Sequence, residues 1–191
     1  MILLRTLLIL SLAAMGALIY GLGQTPDATA QTPTQPGPLT REGATATLRG
    51  PIGFDSYQAL LKALERDSAL TTLVLDSPGG RVPAARGLAR LVREGAIRTE
   101  VYGTCASACT LVFLAGETRV LHAGARLGFH GYRLISGPPL LDPEEEQARD
   151  TAYMIARGVA PAFAARAYAT PHSNMWFPTR QDLTAAGVLA D

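Results

Sequence analysis

"LTTLVLDSPGG" (residues 70–80) and "RVPAARGLARLVREG" (residues 81–95), read together, decide how this chain folds. The first is a short run of leucine and β-branched side chains that stops in a Pro-Gly-Gly turn, the pattern of a strand. The second puts Leu88, Leu91 and Val92 on one helical face and Arg86, Arg90 and Arg93 on the other, which predicts an amphipathic helix with a solvated arginine stripe. Upstream, "ATATLRGPI" (44–52) predicts a strand, and "FDSYQALLKALERDS" (54–68) a helix with Tyr57, Leu60, Leu61 and Leu64 on one face. Downstream, "RTEVYG" (98–103) reads as a strand, 106–115 as a buried helix, and "TRVL" (118–121) and "ARLGFHGY" (125–132) as two short strands. "DPEEEQARDTAYMIARG" (142–158) reads as a helix whose acidic first turn complements its dipole. Strands alternating with helices predict an α/β fold with a mostly parallel sheet covered by helices and joined by right-handed crossovers.

The chain has 191 residues, is 48% hydrophobic and carries a formal net charge of +1. It can bury one real core, expected over residues 43–191, and it has no basic field that would recruit nucleic acid. Residues 1–23, "MILLRTLLILSLAAMGALIYGLG", are uncharged and mostly apolar from Thr6 onward, about the minimum for crossing a bilayer. They are expected to be a transmembrane anchor or a signal segment. Arg5 precedes the run and no basic residue follows until Arg41, so the N-terminus is expected to stay cytoplasmic and the remainder to be exported. "ATA" at 28–30 is a small-residue site of the kind signal peptidases use, so anchor and cleaved leader both stay open. Residues 24–42 include four prolines and five threonines, with almost nothing apolar to bury, and read as a linker between membrane and domain.

In parallel sheets, reactive groups gather where strand ends meet helix N-termini. Two such loops stand out. In "DSPGG" (76–80) the two glycines let backbone N–H groups turn outward, as an oxyanion hole requires. In "TCASAC" (104–109) Ser107 stands at a helix start, where it is either an N-cap or a nucleophile. A serine nucleophile needs a base. Of the three histidines, His130 ends the strand "RLGFH" and faces the right way; His122 lies in a turn and His172 in an irregular loop. The only lysine, Lys62, sits in the first amphipathic helix, which argues against a Ser-Lys pair. Cys105 and Cys109 are spaced either for a disulfide or as two small buried hydrophobes. Two thiols without two further ligands do not make a metal site, and no metal or organic cofactor is expected.

With these residues in hand, the chain resembles the Clp protease proteolytic subunit family of the Clp/crotonase superfamily, and in particular its exported, membrane-anchored relatives. The resemblance covers about residues 45–191 and rests on three motifs in order: "DSPGG", "CASAC" and "RLGFHGY". It implies a spiral of β-β-α units, with Ser107 as nucleophile, His130 as general base, and the N–H groups of Gly79 and Ala108 as the oxyanion hole. Where the family carries a catalytic aspartate, aligning "FPTRQDLTAAGVLAD" (177–191) on the family's closing helix puts Met175, and Asn174 beside it is the candidate to orient His130. Asp182 fits better in a capping box with Thr179. The implied function is an exported, membrane-tethered serine hydrolase, a peptidase acting on peptide or protein. The alternative is a catalytically weak or inactive scaffold that binds peptides or protein partners. Relatives form rings or trimers, so a homo-oligomer is in view.

Overall fold

Five short β-prone runs and one long one pair into a single six-stranded sheet in the computed structural model, which describes residues 39–66, 69–132 and 142–190. The apolar segment 1–23 and residues 24–38 of the expected linker lie outside the described residues. The strands are β1 (Leu39–Glu42), β2 (Thr45–Arg49), β3 (Thr72–Ser77), β4 (Arg98–Ala106), β5 (Arg119–Leu121) and β6 (Arg126–Gly128). The helices are α1 (Phe54–Arg66), α2 (Val82–Glu94), α3 (Cys109–Leu114), α4 (Pro143–Ala156), α5 (Pro161–Ala169) and α6 (Arg180–Ala185). Strand order is β1-β2-β3-β4-β5, and β6 also pairs with β4. β2 through β6 are parallel, and only β1 runs antiparallel, against β2.

β2, β3 and the first half of β4 each bury one side. Ala46 and Leu48, Leu73 and Leu75, and Thr99 and Val101 point inward to a core completed by Leu60, Leu88, Val92, Phe113 and Leu114 from the helices. β4 is long enough to accept two partners on one edge, β5 along 99–101 and β6 along 104–106. That sharing brings the ends of β3, β4 and β6 together.

Three expectations change, and one element is new. Residues 39–42, assigned to the linker, form β1, because Leu39 has a core to pack on and Leu39–Glu42 completes a ladder with β2. The buried helix expected over 106–115 spans only Cys109–Leu114, because the strand hydrogen bonding of β4 continues through Ala106. Arg86 is not solvated: it is half-buried and bonded to Asp150 and Glu146 of α4. The alanine-rich α5, opened by Pro161 at its first turn, had no counterpart in the sequence reading. The expected capping box is present, with Thr179 Oγ1 accepting from the Asp182 N–H and Asp182 from the Thr179 N–H.

Candidate active site

The register between β3 and β4 holds from Thr72↔Arg98 to Leu75↔Val101 and resumes at Ser77↔Cys105, two residues along β3 against four along β4. The resulting bulge tilts the end of β4, and the Thr104 N–H reaches the Asp76 carboxylate at 3.4 Å. Immediately beyond it, Ser107 adopts φ +55°, in the left-handed region that costs a side-chain-bearing residue about 1–2 kcal/mol. Three bonds hold it there. The Ser107 N–H donates to the Gly128 carbonyl at 2.8 Å, and its own carbonyl accepts from the Thr110 N–H at 2.9 Å and the Thr110 hydroxyl at 2.7 Å. A disulfide joins Cys105 to Cys109 across the same turn. The two cysteines thus flank Ser107 from a strand end and a helix start, not from one helix as their spacing had allowed.

Gly79 backs onto this turn. A Cβ there would stand 2.7 Å from Ser107 Cβ and 2.9 Å from Ala108 N, and φ is +96°, so only glycine fits. The "DSPGG" loop and the Ser107 turn are therefore in van der Waals contact, as an oxyanion hole built from both would require. One donor is differently engaged from the expectation: the Gly79 N–H is bonded to the buried Ser77 hydroxyl at 3.1 Å. The Ser77 side chain is enclosed in the core and takes the nearest backbone donor.

His130 stands two residues beyond Gly128, whose carbonyl holds the Ser107 N–H, so the two candidate groups leave neighbouring strand ends. Its Nδ1 lies 2.6 Å from the Gly131 carbonyl oxygen. A carbonyl only accepts, so this contact places the proton on Nδ1 and leaves Nε2 as the basic nitrogen. Among the described residues no hydrogen bond joins Ser107 Oγ to His130; such contacts tighten as a transition state forms.

The third position lies in the loop 171–175. Phe129 and Trp176 form an antiparallel bridge, which sets Met175 opposite His130 and packs the Met175 thioether over Gly128. Asn174 is exposed, with its N–H given to the Pro171 carbonyl, and does not take the Nδ1 position that Gly131 occupies. The neighbour the sequence reading passed over is His172, whose ring meets that of His130 edge to face with centroids 4.5 Å apart. Nothing in the spacing announced it, because the turn after α5 brings it back. His122 lies elsewhere, stacked on Tyr102 at 3.7 Å and bonded to Glu100 at 2.8 Å. Lys62 is exposed on α1, in a groove it lines with Arg41, Asp55 and Arg66.

Two residues past His130, at Tyr132, a polar cluster anchors the chain. Arg86 of α2 donates to Asp150 at 2.7 Å, to Glu146, and to the Tyr132 hydroxyl at 3.3 Å, while Tyr132 donates to Asp150. Burial, then the bond to Asp150, pushes the Tyr132 phenol well above its usual range. It stays a neutral donor at any ordinary pH. Burial alone would lower the Arg86 pKa, but its bonds to Asp150 and Glu146 outweigh that and raise it.

No family model matches the chain, and no curated protein matches it. Solved structures do. ClpP1 from Listeria monocytogenes superposes with a TM-score of 0.63 at 14% identity, over 77% of this chain and 89% of that one. An asparagine-to-aspartate mutant of ClpP1 from the same organism gives a TM-score of 0.60 at 16% identity with the same coverage. Likeness at this identity defines the fold: a Clp protease-like α/β architecture with a mostly parallel sheet flanked by helices.

Proposed function

We propose that the chain is a serine hydrolase, acting as a peptidase, in which Ser107 attacks a carbonyl and His130 Nε2 carries the proton from serine to leaving group. The observation that carries this is the turn itself. A serine is held at φ +55° against Gly79, its N–H bonded to the carbonyl of Gly128, two residues before a histidine whose Nδ1 is already bonded to a carbonyl. The Ala108 N–H, next in the turn, is the first oxyanion donor; Gly79 supplies the second once its N–H leaves the Ser77 hydroxyl. Gly131 takes the orienting place of a catalytic acid, so Ser107 and His130 work as a dyad, without the carboxylate that stabilises an imidazolium. Export and membrane tethering through residues 1–23 belong to the same proposal, supported by the apolar N-terminal run and by a disulfide of the kind oxidising compartments sustain. A homo-oligomer and a peptide substrate are in keeping with the fold.

A second reading, a peptide-binding scaffold without turnover, is favoured by one observation: Met175, not an acid, stands opposite His130. A fluorophosphonate probe separates the two. Labelling is expected in the wild type and lost in Ser107→Ala. A folded wild type that takes no label would leave the scaffold.

A further inference from the structure

Cys105 and Cys109 are both fully buried, and they belong to different elements, the end of β4 and the start of α3. Cys105 is held in the sheet on both sides, opposite Ser77 of β3 and Leu127 of β6. Cys109 opens α3, all six residues of which are buried. The bond therefore closes a short ring from strand end to helix start, and the residue at the middle of that ring is Ser107. A serine released from this ring would relax to extended or right-handed backbone, which points Oγ elsewhere.

We propose that the Cys105–Cys109 disulfide is a positioning clamp for the Ser107 turn, and that its formation arms the nucleophile. The inference rests on the reading of Ser107 as nucleophile. Chemically, arming is a thiol–disulfide exchange with a disulfide oxidant, protein or small-molecule. The oxidant's S–S bond breaks, the Cys105 Sγ–Cys109 Sγ bond forms, and the electron pair and both protons leave on the oxidant's two thiols. Neither sulfur is exposed in the finished turn, so oxidation accompanies the folding of residues 105–109 and the folded protein shields the bond afterwards. The same chain made in a reducing compartment carries a loose turn and an unarmed serine.

The full chain is compared in three forms: oxidised, kept as dithiol by folding under a thiol reductant with the thiols counted by intact mass, and as Cys105→Ala/Cys109→Ala. Hydrogen exchange is read at the Ser107 and Thr110 amides, which bond to Gly128 and Ser107, with the Leu73 and Val101 amides as reference. Fluorophosphonate labelling is read in parallel. The turn amides are expected to exchange at least tenfold faster in both bridge-free forms while the reference amides stay unchanged, and labelling is expected to slow at least tenfold. Equal turn exchange in all three forms overturns the clamp. Faster exchange with undiminished labelling overturns the arming. If the oxidised protein takes no label, the hydrolase reading fails while exchange still decides the clamp. If neither bridge-free form folds, the bond is a staple for the whole domain and the proposal falls.

Discussion

Gly79 and Ser107 are shaped by each other. A Cβ on Gly79 would meet the Ala106 carbonyl at 2.6 Å and Ser107 Cβ at 2.7 Å, whereas at Gly124, φ +78°, it would meet nothing within 4 Å. Gly124→Ala then isolates the backbone term, about 1–2 kcal/mol, and Gly79→Ala adds the collision. Gly79→Ala is expected to lower the thermal midpoint clearly more than Gly124→Ala and to abolish probe labelling of Ser107, while Gly124→Ala labels normally. Matching midpoints would show that the two loops do not touch. The strain at Ser107 is of the same order as what a ring the size of residues 105–109 contributes by restricting the unfolded chain, roughly 2 kcal/mol, so one covalent bond offsets one unfavourable φ.

At the scale of elements, β1 shows where composition misleads. "LTRE" follows a proline-rich run and looks like the tail of a linker, yet its four residues pair with Leu48 through Thr45 and protect the free edge of β2. A chain beginning at Pro36 is expected to unfold cooperatively, and one beginning at Gly43 to lose roughly 1–3 kcal/mol, several degrees in midpoint, and to aggregate through the bared edge. Identical midpoints for the two would make β1 an ornament. The other strands and α1, α2, α4 and α6 were legible because their periodicity is local: alternation in 72–77, an apolar stripe in 82–94, a capping box at 179–182. The meeting of the Gly79 loop with the Ser107 turn was legible because the residues around both are unusual in type and order. The contact of His172 with His130 was not legible, because the loop 171–175 is positioned by the Phe129–Trp176 bridge, a contact across more than forty positions that no local pattern encodes. Arg86 was misjudged for the same reason, since its partners lie 60 and 64 residues away.

One of those long-range partners, Glu146, together with Asp182 and Glu100, gives the whole molecule its response to acid. Arg86 joins α2 to α4 and to Tyr132, two residues past the candidate base, and Asp150 at the centre is 2% exposed. Three carboxylates elsewhere or alongside are held below their ordinary range: Glu146 by its bond to Arg86, Asp182 by the Thr179 hydroxyl and N–H, and Glu100 by bonds from His122, Tyr102 and Arg98 that outweigh its burial. A depressed carboxylate stabilises the fold above its unfolded pKa, about 4, and that contribution disappears as pH falls through the lower folded value. Urea midpoints are therefore expected to be level from pH 7 to about 5 and to fall below about 4. Arg86→Met removes the partner of a buried charge and should cost about 3 kcal/mol at pH 7. Because the advantage that Arg86 gives Glu146 exists only while Glu146 is ionised, the gap between variant and wild type should narrow as the pH drops below 4. A gap that stays constant down to pH 2.5 would mean that Arg86 acts through packing of its stem alone, and the cluster could not then be what fixes the chain behind His130.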